Sequence, residues 1–285
     1  MKPMGGFIRA AAVALLAVAP VLSLVPPASA AVRLAAVPAG FCRSPAHPAL
    51  AARVARAIDA ARHGRVSAIS VRVDDPRKGL QCWLHGARPF DSASAVKVTI
   101  LAALLRRALV QHRYLTDTEA AEATAMITRS DNDAASELWD ELGRGYIRHF
   151  LHLAGMRQTV LGLDGYWGLT QITAHDEMVL LRLLLHRNPV LDLPSRRYAL
   201  RLMAQVIASQ RWGVPAGAPA RLTAHLKNGW LPSITHGWYV HSIGCFTGRH
   251  GGYSFVILTE DNPTFSYGIA TIGAVARAIN RDLDR

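Results

Sequence analysis

Two groups of residues with strand-like alternation sit near opposite ends of this 285-residue chain, separated by a long block with helical spacing. Residues 68–73 place Ile69, Val71 and Val73 on one face and Ser70 and Arg72 on the other. After the turn Asp74-Asp75-Pro76-Arg77-Lys78-Gly79, Leu80, Cys82 and Leu84 share a face, so the pair reads as a β-hairpin. Alternation returns over residues 238–246 and 253–259, around a Gly-rich turn at 249–252. A helix over 48–63, with Leu50, Val54 and Ile58 four apart and Gly64 as its stop, precedes the first group. A helix carrying Ile269, Ile272, Val275 and Ile279 follows the second. Between the groups, from Ser94 to about residue 209, helix starts recur: Thr116 with Glu119 is a capping box, Thr173 with Asp176 resembles one, and Asp131 and Asn132 precede another helix. Strands near both ends can share one sheet only if the two ends fold together. The expected class is therefore α+β: an antiparallel sheet with flanking helices built from residues 31–93 plus 210–285, carrying an inserted all-helical subdomain over 94–209, with a cleft at their junction. No internal repeat is present.

The first thirty residues are set aside as an export signal. Lys2 and Arg9 supply charge, residues 10–25 are apolar, and Ala28-Ser29-Ala30 is a small-residue cleavage site. Pro20, Pro26 and Pro27 and the short apolar run argue against a membrane anchor, and there is no cysteine at the cleavage point to mark a lipoprotein. Secretion or residence in the cell envelope, with cleavage after Ala30, is the expectation. Loss of the leader lowers the net charge from +12 to +10, which suits an anionic wall surface or simply reflects an arginine-rich chain. No basic cluster with interleaved aromatics points to nucleic acid. The twelve histidines show no metal-ligand spacing, since His175-Asp176-Glu177 lacks a second histidine at the required position; neither metal nor cofactor is expected, and the protein is read as a monomer.

Lysine is nearly absent. Only Lys2, Lys78, Lys97 and Lys227 occur, against 28 arginines. Arginine keeps its proton, whereas a desolvated lysine can lose one and act as a base, so a lysine retained in the apolar run after Asp91 calls for a reason. Lys97 stands three residues after Ser94, on one helical face with it. Ser130-Asp131-Asn132 and Lys227-Asn228-Gly229 follow in order. Taken singly, these motifs read as a snorkelling lysine, a helix cap and a solvated strand-end charge. Two of the three lysines left after the leader fall within the ordered set.

On the segments PFDSASAVKVTIL, MITRSDNDAASELW and LKNGWLP, and on the strand-strand-helix ending, the chain resembles the penicillin-interacting serine hydrolases, most closely the class A β-lactamases, over roughly residues 48–284. The resemblance implies a Ser94 nucleophile that opens the first helix of the insert, with Lys97 as its base. It implies Ser130, on a loop between insert helices, as relay to the leaving nitrogen. Lys227, at the start of a strand facing the cleft, holds Ser130 and attracts a substrate carboxylate. Asn132 hydrogen-bonds a substrate amide, and the Ser94 and Trp230 N–H groups form the oxyanion site beside Gly229. In that fold Cys82 and Cys245 should lie on non-neighbouring strands, and Cys42–Cys82 is the expected disulfide.

Three departures accompany the resemblance. The Lys97–Ser130 interval is short. Asn228 stands where the family carries the hydroxyl that helps bind a carboxylate, and Arg211 and Arg221 are candidates for that contact or solvated surface charges. The loop TVLGLDGYWGLTQITAHDEM offers Asp164 as its only acid before the next helix, either in place of a deacylating glutamate or as a turn residue beside Gly165, with Glu177 read as a solvated charge at the helix start. The leading reading is an exported serine hydrolase of β-lactamase type acting through a Ser94 acyl-enzyme on a β-lactam or related amide or ester, its partner being a small-molecule or peptidoglycan-derived acyl donor. A D-alanyl-D-alanine carboxypeptidase-like wall enzyme and a non-catalytic envelope ligand-binding protein are the alternatives.

Overall fold

The computed structural model describes residues 40–163, 165–249 and 251–284. The leader and Asp164 lie outside the described residues. Among the described residues eight strands and seven helices are formed: β1 (Cys42–Arg43), α1 (Pro48–Arg62), β2 (Ala68–Asp75), β3 (Leu80–Leu84), β4 (Pro89–Asp91), α2 (Lys97–Val110), α3 (Asp117–Thr128), α4 (Asn132–Ala154), β5 (Gln171–Thr173), α5 (Ala174–Leu185), α6 (Leu193–Ala204), β6 (Thr223–Ser233), β7 (Gly237–Thr247), β8 (Ser254–Asn262) and α7 (Phe265–Asp284).

Six strands form one antiparallel sheet in the order β1-β3-β2-β8-β7-β6, which is the expected class with both chain ends in one sheet. The junction between the ends is the β2–β8 pair, where Ala68 faces Glu260 and Asp74 faces Ser254. Alternation sorts the strands' side chains into two cores. On β8, Phe255 and Ile257 join α1 and α7, while Val256 and Leu258 join the helical block. Ile69, Val71 and Val73 of β2 all face α1 and α7, as their spacing requires. α2 is the central helix of the block, and every residue from Lys97 to Leu105 is buried.

Local start signals act as the sequence suggests. Thr116 and Glu119 form a reciprocal capping box, Asp131 caps α4 through the Ala134 N–H, and Thr173 caps α5 through the Asp176 N–H. Gly143, at φ 73°, breaks α4 part-way. The two layers are joined by Arg182 of α5, which donates two hydrogen bonds of 2.9 and 2.7 Å to the Asp74 carboxylate of β2. Cys42 and Cys82 form the expected disulfide between β1 and β3, and Cys245 is a buried free thiol. Unforeseen were the two-residue β1 and the small β4–β5 sheet; both are too short to carry a readable alternation.

Glu177 corrects the sequence reading. It is fully buried on α5, not solvated, because the face of α5 that turns toward the sheet includes its first turn. Neither of its carboxyl oxygens has a hydrogen-bond partner. Burial, and then the neighbouring Asp176, push its pKa up from 4.5 to about 8, so the folded protein holds it as the neutral acid at neutral pH. An unfolded chain releases that proton near pH 4.5. The contribution of Glu177 to stability is therefore fully present below pH 4.5 and is lost as pH rises to about 8. We predict that Glu177→Gln flattens this decline, leaving stability similar to wild type at pH 4.5 and higher at pH 8, as read by denaturant midpoints at the two pH values.

Candidate active site

The site is built where α2, the α3–α4 connection and β6 converge. Ala93, with a left-handed φ of 46°, begins a short 3₁₀ turn over Ala93–Val96 that runs into α2. The turn is held from both sides, by the Ser92 N–H donating to the Thr170 carbonyl (2.8 Å) and the Ala95 N–H donating to the Ser92 carbonyl (3.0 Å). Ser94 thus lies in the turn before the helix proper and is 9% exposed. Ser130 follows α3 at φ 60°, on the expected connection between insert helices, so the backbone reverses there and α4 starts at Asn132.

Lys227 differs from its expected place. It lies in the middle of β6, not at its start, and is fully buried. On β6 its neighbour Gly229 presses against the 3₁₀ turn: a Cβ there would stand 2.8 Å from the Ser92 carbonyl oxygen, 2.9 Å from Ala95 N and 3.0 Å from Ser94 N. Only a residue without a side chain lets β6 come this near Ser94.

Both lysines converge on Ser130. The Lys227 amine donates to Ser130 Oγ (2.8 Å) and to the Asn228 carbonyl (2.9 Å). The Lys97 amine donates to the Ser130 carbonyl (2.7 Å), the Asp131 carbonyl (3.0 Å) and Asn132 Oδ1 (2.7 Å), with Ser130 Oγ at 3.4 Å. Three oxygen acceptors around Lys97 suit the three protons of an ammonium, which explains why the expected bond between Lys97 and the Ser94 hydroxyl is not made in this state. Desolvation lowers the Lys97 pKa to about 7 against an opposing pull from Asp131. Desolvation, and then the Lys97 charge, hold the Lys227 amine well below its ordinary value. Two amines sharing one hydroxyl cannot both stay charged easily, so this trio is suited to moving a proton.

A cleft of about 210 Å³ opens over Ser94, lined also by Ser130, Asn132, Trp167, Trp230 and Leu231. That is below the roughly 300–1,000 Å³ of common ligand pockets, which favours a compact reactive group. Asn132 gives its Oδ1 to Lys97 and leaves its amide N–H₂ on the cleft side without a partner among the described residues. Trp230 rests its ring on Phe265 and Trp212, with centroids 5.6 and 6.0 Å away.

Asn228 does not line the cleft. Its amide donates to the Gln210 and Trp212 carbonyls (2.8 and 2.9 Å), because strand alternation turns it away from the face that Lys227 uses. Arg211 donates to the Ala204 carbonyl (2.8 Å) and Arg221 pairs with Asp284, so neither faces Ser94.

Trp167, Arg129 and Gln210 line the cleft and escaped the sequence reading. Their signals are single residues in loops, without period or motif. Among the described residues one cluster has the geometry to hold a metal, His236, Glu260 and Asp261. It is separate from the cleft lining, and Glu260 is already paired with Arg88 there.

An α+β body whose cleft brings Ser94 and Ser130 close to the buried Lys97 and Lys227 agrees with the family resemblance carried by the sequence motifs. Residues 120–283 match the beta-lactamase enzyme family, more than half of the chain, and the protein belongs to that family. Solved structures agree on the fold. A β-lactamase from Sphaerobacter thermophilus DSM 20745 superposes with a TM-score of 0.67 at 22% identity, covering 79% of this chain and 95% of that one. A class A β-lactamase representative from Bacteroides cellulosilyticus DSM 14838 gives 0.72 at 13% identity, covering 85% and 99%. A single-site mutant of PBP-A, solved as an acyl-enzyme complex with penicillin G, gives 0.69 at 18% identity, covering 81% and 96%. No curated protein matches the chain significantly.

The contact at Gly229 supplies a direct test of how the site is held. Gly229→Ala is expected to push β6 from the 3₁₀ turn and lower reactivity at Ser94 by at least about ten-fold while far-ultraviolet circular dichroism stays native, since small misplacements of reacting groups carry costs of that order or more. Unchanged labelling of Ser94 by an active-site serine reagent would contradict the close approach.

Proposed function

We propose that this member of the beta-lactamase family is an exported serine hydrolase that opens a β-lactam or a related amide or ester through a Ser94 acyl-enzyme. The observation that carries the reading is the Ser130 hydroxyl set between the buried Lys97 and Lys227 amines, on the cleft that contains Ser94. In this mechanism neutral Lys97 takes the Ser94 proton as Oγ bonds to the acyl carbon. The backbone N–H groups of Ser94 and Trp230 hold the resulting oxyanion. The carbon–nitrogen bond then breaks as Ser130 protonates the leaving nitrogen, and Lys97 or Lys227 resupplies Ser130. Asn132 holds the side-chain amide of the acyl donor, and the buried Lys227 attracts its carboxylate. No cofactor enters these steps.

A wall peptidase acting on D-alanyl-D-alanine stems is the second reading. Trp167 favours it, because the loop that faces Lys97 presents an indole there. An envelope location, with the leader at residues 1–30 removed and the net charge of +10 turned to an anionic wall, accords with either substrate.

Intact-protein mass spectrometry after addition of a penicillin, a cephalosporin or a D-Ala-D-Ala depsipeptide tests the proposal. A mass increase is expected with at least one of them, equal to the whole molecule for a ring-opened β-lactam and to the donor less its leaving alcohol for the depsipeptide, and none with Ser94→Ala; an adduct on the Ser94→Ala protein, or no reaction with any donor, would sink the mechanism and leave the non-catalytic binding protein. Lys97→Ala is expected to slow acylation by roughly 10²–10⁴. Because the base must be neutral, the acylation rate should be level above pH 7 and fall tenfold per unit below it, a limb set by the Lys97 pKa of about 7.

A further inference from the structure

Lys97 is completely buried although Ser94, Ser130, Asn132 and Trp167 around it line an open cleft. Acceptors from residues 130–132 occupy one side of the amine. The other cover is Trp167, whose ring centroid lies 4.7 Å from Lys97 Nζ. This indole is fixed twice. Its Nε1–H donates to Ser136 Oγ of α4 (3.1 Å), and its carbonyl accepts from Ser92 Oγ (3.4 Å) and from the Thr170 N–H (3.1 Å). The loop that carries it is closed at its base by paired bonds between Val160 and Gln171 (3.0 and 2.8 Å). Trp167 is thus tied to the segment that presents Ser94 and to the helix that follows Ser130.

We propose that Trp167 is a positioning residue that walls off the Lys97 amine from cleft water and thereby prolongs the life of the acyl-enzyme. The inference rests on the Ser94 acyl-enzyme reading. That intermediate ends when a water oxygen bonds to the acyl carbon and the ester bond to Ser94 Oγ breaks. One water proton returns to Ser94 Oγ, and the product leaves as a carboxylic acid. The water must give up its proton as it attacks, and an indole accepts none, since its nitrogen only donates. With the acyl group filling the cleft side and the indole filling the other, water meets neither the amine nor a substitute base at Trp167.

The charged groups that face Lys97 are Lys227 on β6 and Asp131 at the start of α4; the remaining neighbours are carbonyl and hydroxyl oxygens. The ring acts on the amine in two senses. Its π-face favours the ammonium, while its bulk excludes the water that would stabilise that same charge, and exclusion is the larger effect at a fully buried amine.

Trp167→Ala, Trp167→Phe and Ser136→Ala, each loaded with whichever acyl donor labels the wild type, test this by intact mass over time and by the pH dependence of acylation. Trp167→Ala is expected to lose its adduct at least about ten-fold faster, a part of the roughly 10²–10⁴ that a positioned general base supplies, and to move the acid limb of acylation upward by about one pH unit. Trp167→Phe keeps the apolar cover and restores both towards wild type. Should the alanine variant not fold, Ser136→Ala, which frees the indole nitrogen, should shorten the adduct's life in the same sense. An adduct whose lifetime and pH limb ignore these substitutions overturns the inference alone, as does a wild type that consumes a donor without a persisting adduct; a wild type that neither forms a Ser94 adduct nor consumes any donor overturns the acyl-enzyme reading and the inference with it.

Discussion

The burial of two lysine amines within reach of one serine hydroxyl is the constraint on which this architecture turns. A lone buried ammonium is costly, and two beside each other more so, unless oxygen acceptors surround them or a proton leaves. Every element at the junction answers that requirement. The left-handed turn at Ser130 presents a carbonyl and a hydroxyl to the amines, Asn132 at the start of α4 adds its side-chain oxygen, and β6 supplies the Asn228 carbonyl. The burial that makes those acceptors necessary also lowers the proton affinity of Lys97 into the range where a base can work at neutral pH.

Much of the frame was legible because its signals are periodic or local. The alternation of Ile69, Val71 and Val73 and of Leu80, Cys82 and Leu84 marked β2 and β3, and side-chain caps at Thr116, Asp131 and Thr173 marked three helix starts. The convergence of Ser94, Lys97, Ser130 and Lys227 was implied by the family resemblance that the ordered motifs carry, with the scarcity of lysine drawing attention to Lys97. Their roles are read from chemistry, while their proximity is a matter of geometry.

What escaped depended on direction rather than on identity. Asn228 belongs to a recognised motif, yet the pleat of β6 turns its amide to the Gln210 and Trp212 carbonyls, on the opposite side from Lys227. Glu177 sits in the first turn of a helix, where a carboxylate usually meets water, but α5 directs that turn at the sheet. Trp167 lies in a loop between glycines, and no spacing announces that such a residue will end over a lysine far away in sequence. Side-chain orientation in loops and strand faces is set by tertiary packing, which a linear pattern does not record.

The pairing of β2 with β8 carries a consequence for how the molecule is made. Val71 meets Ile257 in the middle of the sheet, so the central hydrogen-bonded ladder spans nearly the whole described chain. A nascent chain can form the β2–β3 hairpin and individual helices early, but the interior ladder must wait until β8 has been synthesised. Assembly of the sheet is therefore a late event of high contact order, with a slow loop-closure step. Until it completes, β2 has an open edge and Asp74 has no finished sheet from which to hold Arg182 of α5, so the seam between sheet and helical block closes with the last stage of folding rather than before it.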